Sequence, residues 1–227
     1  MIPATIHYIW LGDKKIPSLC QECIDTWSIY AREFNIICWD EEKYFEHFGK
    51  NDFVVNMIKN KKFAFAADYI RCDILYKYGG IYLDTDMELV KDISDLLGNT
   101  AFIGNESPDQ PSCGILGSTP NLWLFDKLKN AIEAGNGLVT IPFLLKKILI
   151  ENKINISANN DITTTADISI YPQKYFYPYN PYDDTDINQL LYKNVTPDCY
   201  AIHHWYKSWK LSITERLIKK LKVILKK

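Results

Sequence analysis

FAFAADYIRCDILYKYGGIYLDTDMELV, residues 63–90, is the stretch that decides the fold. Its first half has helical spacing. Phe63, Ala66, Ala67, Ile70, Ile74, Leu75 and Tyr78 recur at intervals of three and four, the pattern of a helix with a buried stripe. Gly79 and Gly80 end that helix, because the residue just past a helix C-terminus takes a positive φ that glycine adopts without strain. Ile81-Tyr82-Leu83 is a short apolar, β-prone run that delivers Asp84, Thr85 and Asp86 at a strand's end, with Glu88 close behind. Two carboxylates one residue apart in that place can hold a hard divalent cation, since Mg²⁺ and Mn²⁺ prefer oxygen ligands. The same pair also fits a solvated turn. Asp68 and Arg71 are three apart and share a face of the preceding helix. The apolar strand therefore lets carboxylates and a fixed cation converge on one place.

Outward from this stretch, strands and helices alternate. Thr5 to Trp10 is a β-prone run ending at Leu11-Gly12, and Pro17 opens a helix over 18–31. Phe34 to Trp39 reads as a second strand, with short helices over 41–48 and 51–59. Beyond residue 90, Ala101 to Gly104 is a strand that delivers Asn105, Glu106 and Ser107. Ser112 to Gly117 is another, followed by helices over 120–134 and 142–152. The region 153–198, rich in Asn, Asp, Tyr and Pro, has no sustained period, with short strands near 162–165 and 168–171. Its aromatic run YPQKYFYPYNPY (171–182) reads as packed irregular loop or as a stacking surface. Cys199 to Trp205 is a final strand carrying His203 and His204, which point to opposite faces. Alternation of this kind predicts an α/β fold with a mainly parallel central sheet. In such a sheet the ligand crevice lies at the C-terminal ends of the strands.

Ala-Ala-Asp-x-x-Arg at 66–71, then Leu-Tyr-x-x-Gly-Gly-Ile-Tyr-x-Asp-x-Asp at 75–86, resembles the sugar-nucleotide segment of glycosyltransferase family 32. That family includes α-mannosyltransferase-like and capsular-polysaccharide enzymes, and its segment is similar to one in the clostridial large-toxin glucosyltransferase domains. Ile-Pro-x-x-Ile-His-x-x-Trp-x-Gly at 2–12 and Ala-x-His-His-x-x-x-Ser-Trp at 201–209 also match. The resemblance implies a GT-A type, single Rossmann-like nucleotide-binding domain over 1–206. It implies that Trp10 contacts the nucleotide, that Asp68 bonds the donor sugar's hydroxyls, and that Arg71 approaches the sugar or diphosphate. Asp86 then ligates Mn²⁺ or Mg²⁺ directly and His203 completes the shell, with His204 not excluded. Asp84 serves the shell or the ribose, Glu106 faces the donor sugar, and Trp209 lies near the leaving phosphate.

Composition bounds the rest. At 227 residues, 47% hydrophobic and 24% charged, the chain suits one soluble globular domain of ordinary make-up. Cys20 and Cys23 form a C-x-x-C, but no second pair or nearby histidine completes a zinc site, so small buried residues of the 18–31 helix explain them. No leader peptide precedes Ile2, and no run approaches the roughly 18–20 apolar residues of a membrane span. A reducing cytoplasm with free thiols is the expectation.

The net charge of −2 hides an asymmetry. From Lys207 onward there are eight Lys or Arg and one acid. Removing them from totals of 26 and 28 leaves 18 basic against 27 acidic residues in the body, a poor nucleic-acid binder. Ser212-Ile213-Thr214-Glu215 is a capping box that opens a basic amphipathic helix over 207–227. Its apolar residues Ile213, Leu217, Ile218, Leu221, Ile224 and Leu225 fall within roughly 140° of arc, with Val223 the exception. The pattern fits either peripheral contact with an anionic membrane, on the inner face of the plasma membrane, or a terminal helix docked on the body.

These readings imply a retaining, metal-dependent glycosyltransferase. It would take a hexose or N-acetylhexosamine from a nucleotide-diphosphate sugar, UDP-linked by expectation. The acceptor would be a saccharide, lipid-linked in capsule or surface-polysaccharide assembly, with a protein acceptor as the alternative. Departure of the leaving phosphate on the face that the acceptor attacks fits the residues better than double displacement, for which only Glu106 is a second carboxylate on the sugar. A metal-dependent phosphohydrolase is the competing class, and would need further acids for a two-metal site.

Overall fold

The computed structural model describes residues 1–158, 160–181 and 195–206. The basic helix expected over 207–227, and Trp209 with it, lie outside the described residues. The first half runs β1 (Thr5–Ile9), α1 (Ser18–Tyr30), β2 (Asn35–Trp39), α2 (Glu41–Phe48), α3 (Asp52–Lys59), α4 (Phe63–Tyr78) and β3 (Gly80–Leu83). After it come β4 (Met87–Leu89), a 3₁₀ turn (Ser94–Gly98), β5 (Ala101–Ser107), β6 (Gln110–Ser118), α5 (Trp123–Gly135) and α6 (Ile141–Glu151). Short strands β7 (Thr163–Thr165), β8 (Ile168–Tyr171) and β9 (Ala201–His203) complete it.

Seven strands form one sheet in the order β2-β1-β3-β6-β5-β8-β7. β2, β1, β3, β5 and β8 point the same way, and β6 and β7 run against them. Each face carries its own core. α3, α4, α5 and α6 cover one with Ile70, Ile74, Leu75, Phe125, Leu128 and Leu145. On the other, Ile24 and Trp27 of α1 meet Ile81, Leu83, Met87, Phe102 and Phe176.

α4 is buried beyond the stripe that its spacing predicts. Tyr69, Arg71 and Cys72 are enclosed together with Ala66, Ile70, Ile74 and Leu75. α3 and α5 pack on its outer side while β1 and β3 take its inner side, so little of it faces water. Gly79 (φ +65) and Gly80 (φ +93) then turn the chain into β3. A Cβ on Gly80 would lie 2.8 Å from the Thr5 carbonyl and 2.9 Å from His7 Nε2, so only glycine lets the turn press against β1. His7 is itself fixed. Trp39 Nε1 donates to its Nδ1 at 3.1 Å, which leaves Nε2–H to donate to the Gly79 carbonyl at 3.1 Å. Burial pulls its pKa down to about 4, partly offset by that backbone bond.

Two expectations shift. The helix expected from Pro120 begins at Trp123, because Asn121 takes a left-handed turn conformation (φ +63) that cannot continue a helix. The last strand leaves the central sheet. β9 pairs antiparallel with β4 in a separate two-stranded ribbon, Met87 opposite His203 and Leu89 opposite Ala201.

Candidate active site

β3 ends where the chemistry begins. Asp84 N–H donates to the Gly114 carbonyl of β6 at 2.8 Å, and Met87 N–H donates back to the Asp84 carbonyl at 3.0 Å, so residues 84–87 form a tight turn. That turn reverses the chain into β4, and the β4–β9 ribbon returns His203 beside it. Asp86 is held from three sides. Its carbonyl accepts from His204 N–H at 3.0 Å, one carboxylate oxygen accepts from Tyr206 N–H at 2.7 Å, and the other lies 3.3 Å from His203 Nε2. Asp84, Asp86 and His203 each offer one ligand atom, all within 4.8 Å of one another.

A second set adjoins the first. Arg71 of α4, buried, reaches Asp68 Oδ1 at 3.1 Å and Asp84 Oδ1 at 3.2 Å. Its Nη1 donates to the Cys113 carbonyl at 2.6 Å, and the guanidinium stacks 4.3 Å from the centre of the Tyr82 ring. The Tyr82 hydroxyl donates to Asp84 Oδ1 at 2.9 Å. The resemblance gave Asp84 to the metal shell or the ribose and Arg71 to the sugar or the diphosphate, and the structure brings the two into contact. Tyr82 was not singled out, although it stands two residues before Asp84 on a strand and so shares its face.

Glu106, at the end of β5, is close enough to His203 for their charges to couple. Trp10 stands one residue past β1, at the sheet edge where β3 ends, half-buried, its indole donating to the Lys14 carbonyl at 2.6 Å. Among the described residues it shares no hydrogen bond or ring contact with the acids. The adjacent histidines diverge: His203 turns to Asp86, while His204 Nε2 lies 2.7 Å from Glu88 Oε2. Tyr177 was read only as part of an aromatic run. Its buried ring packs edge to face on His203 at 5.6 Å.

The charges ask for a cation. Burial pulls the His203 imidazole down, but its bond to Asp86 and the charges of Asp86, Asp84 and Glu106 outweigh this and raise its pKa. Burial pushes Asp86 up, and His203 and the Tyr206 N–H override it, holding the carboxyl below its usual range. Carboxylates thus outnumber positive charges and draw a proton onto His203. His203 Nδ1 is buried without a hydrogen-bond partner among the described residues. Two carboxylates and an imidazole suit Mn²⁺ or Mg²⁺, and a divalent cation supplies the charge that the proton otherwise brings. Burial raises the Asp68 carboxyl to about 6, with Arg71 lowering it and Asp84 raising it. One guanidinium is shared between two acids and satisfies neither in full.

Residues 17–103, with Asp68, Arg71, Asp84 and Asp86 inside them, match the glycosyltransferase sugar-binding region containing DXD motif. An uncharacterized glycosyltransferase of Acanthamoeba polyphaga mimivirus is 32% identical over 223 residues, covering 92% of this chain and 84% of that protein. The chain belongs to the DXD-containing glycosyltransferases. Mannosyl phosphorylinositol ceramide synthase of Saccharomyces cerevisiae is 29% identical to this glycosyltransferase over 151 residues, 63% of the chain and 38% of the yeast protein. Inositol phosphoceramide mannosyltransferase 3 of Schizosaccharomyces pombe is 30% identical over 122 residues, 51% of the chain and 33% of that enzyme. The glycosyltransferase thus spans well under half of either yeast protein. The solved PaToxG glycosyltransferase superposes with a TM-score of 0.53 at 21% identity, covering 66% of this chain and 69% of that one. The fold is therefore the GT-A type. Among the described residues no helix is long and apolar enough to cross a membrane.

Proposed function

We propose that this glycosyltransferase moves a hexose from a nucleoside diphosphate sugar to a lipid-linked or saccharide acceptor, with retention of anomeric configuration. The convergence of Asp84, Asp86 and His203 within 4.8 Å at the sheet's C-terminal edge carries this reading. These three residues would hold Mn²⁺ or Mg²⁺, which when bound neutralises charge developing on the leaving diphosphate and orients it. Arg71 keeps Asp84 in place and turns Asp68 beside it, so that Asp68 can accept hydrogen bonds from sugar hydroxyls. Trp10, half-buried at the same edge, offers the nucleoside a stacking surface. Glu106 stands on the His203 side, where it can face the donor sugar.

Double displacement requires a free carboxylate at the anomeric carbon, with its partner about 5–5.5 Å away. Asp68 is engaged by Arg71, which leaves Glu106 alone. Retention therefore fits same-face departure, in which the leaving phosphate takes the acceptor's proton. The relatives named for inositol phosphoceramide support a lipid acceptor, and the basic amphipathic pattern of 211–227 supports peripheral contact with an anionic membrane. Capsule or other surface polysaccharide is the setting that accords with a lipid-linked saccharide. The test is a panel of UDP- and GDP-hexoses with Mn²⁺ or with chelator, read as free sugar release, followed by NMR of the transferred sugar. Chelator-insensitive release, or an inverted product, overturns the reading.

A further inference from the structure

α6 (Ile141–Glu151) is apolar on two sides. Ile141, Leu144, Leu145, Ile148 and Leu149 are buried on its inner face. Phe143, Lys147 and Ile150, four and three apart, share its outer face, where Phe143 is 61% and Ile150 53% exposed. A helix that is apolar all round ordinarily finds cover all round. Leu138, just before the helix, is 47% exposed.

The charges around these residues have one sign. The stretches 53–65 (FVVNMIKNKKFAF) and 134–150 (AGNGLVTIPFLLKKILI) hold five lysines and no Asp or Glu, in a body with 18 basic and 27 acidic residues. Lys147 lies 3.7 Å from Glu151, the first acid beyond the second stretch. The two stretches meet in the fold. A Cβ on Gly137 would lie 2.9 Å from Met57 Sδ and 3.6 Å from the Phe65 ring, and the Lys62 ammonium sits 6.0 Å from the centre of that ring. Lys61 N–H donates to the Ile58 carbonyl and Lys62 N–H to the Met57 carbonyl, both at 2.8 Å, so the turn that carries the exposed Lys59 and Lys61 is fixed.

That turn borders the candidate site. The ring of Phe63, the first residue of α4, lies 2.9 Å from where a Cβ on Gly12 would stand, two residues past Trp10. Asp68 follows on α4 about one and a half turns later.

We propose that this rim, the 59–62 turn with Leu138 and Phe143, docks on an anionic lipid bilayer and presents the mouth of the crevice to an acceptor held there. The apolar side chains enter the headgroup boundary while the lysine ammoniums meet lipid phosphates and carboxylates. A soluble acidic partner would satisfy the lysines alone and leave Phe143 and Leu138 in water. The proposal rests on the lipid-acceptor reading above, but its surface belongs to the folded body and is separate from 211–227.

The test is sedimentation of the full chain with vesicles of phosphatidylcholine, or of phosphatidylcholine with one-third phosphatidylserine, and free sugar release from the donor in solution is measured in parallel. The parent partitions onto the anionic vesicles. Lys59→Gln with Lys61→Gln weakens partitioning about 20- to 30-fold, at about fivefold for each charge removed. Phe143→Ser weakens it roughly tenfold, by loss of apolar area entering the boundary. Sugar release in solution stays at the parent level in both variants, which shows that they fold. Parent-level partitioning in both overturns the rim and leaves contact through 211–227 standing. Loss in the lysine variant with none in Phe143→Ser overturns bilayer docking in favour of an acidic soluble partner. Failure of the parent to partition onto either vesicle overturns the rim and the membrane contact proposed above together.

Discussion

Replacing Arg71 by Met removes the guanidinium that serves both Asp68 and Asp84. Arg71 is buried, 3.1 and 3.2 Å from the two carboxylates, 2.6 Å from the Cys113 carbonyl and 4.3 Å from the Tyr82 ring. Methionine keeps much of the volume and none of the charge, so the cost is that of leaving buried partners uncompensated, about 3–5 kcal/mol. pH provides the control. Burial already raises Asp68 to about 6, above its unfolded value near 3.9. A carboxyl raised on folding binds more protons in the native state, so stability falls as pH rises from about 4 through 6, by roughly 3 kcal/mol for a shift of two units. Arg71 opposes that rise, so its loss moves the Asp68 carboxyl higher and widens the window upward. Denaturant unfolding in chelator, at pH 5 and pH 8, is the assay. Arg71→Met loses about 3–5 kcal/mol at pH 8 and markedly less at pH 5, and adding Asp68→Asn recovers part of the loss at pH 8. A loss under about 1 kcal/mol, or an equal loss at both pH values, refutes the reasoning.

Other predictions follow from the same geometry. His7 is buried neutral with a pKa near 4 against 6.5 unfolded, so it contributes stability above pH 6.5 that is lost as pH falls through 4. The loss amounts to roughly 3 kcal/mol at full protonation, and His7→Gln flattens the slope of unfolding free energy over that window; an unchanged slope contradicts the assignment. His203→Ala weakens Mn²⁺ binding by at least about tenfold in a titration monitored by electron paramagnetic resonance, while His204→Ala, which loses only the Glu88 contact, stays within about twofold of parent. The reverse ranking transfers the ligand role to His204.

Much of the fold is written locally. Helical spacing marks α4, the Gly79-Gly80 pair marks its end, and Ile81 to Leu83 marks the strand that brings the acids to the sheet edge. Those signals lie within a few residues of one another. What sequence could not show depends on partners far along the chain. β9 pairs with β4 across more than a hundred residues, and nothing in Cys199 to Trp205 says that it abandons the central sheet. Arg71 and Asp68 share a helix face by spacing alone, but the contact from Arg71 to Asp84 exists because α4 packs on β3. Tyr177 is the extreme case. Its aromatic neighbours form no period, and its place follows from two glycines on β5 and β6 that read as ordinary small strand residues. The acids were legible from their spacing, while the residues that hold them required the tertiary fold.

The account depends most on Asp86, which is bonded by His203 and by the Tyr206 N–H and belongs to the proposed cation site. Mn²⁺-dependent hydrolysis of a UDP-hexose by the parent chain and by Asp86→Ala tests it directly. The parent releases sugar with Mn²⁺ and stops in chelator, and Asp86→Ala releases none while folding normally. Parent-level turnover with normal donor affinity in Asp86→Ala would contradict it.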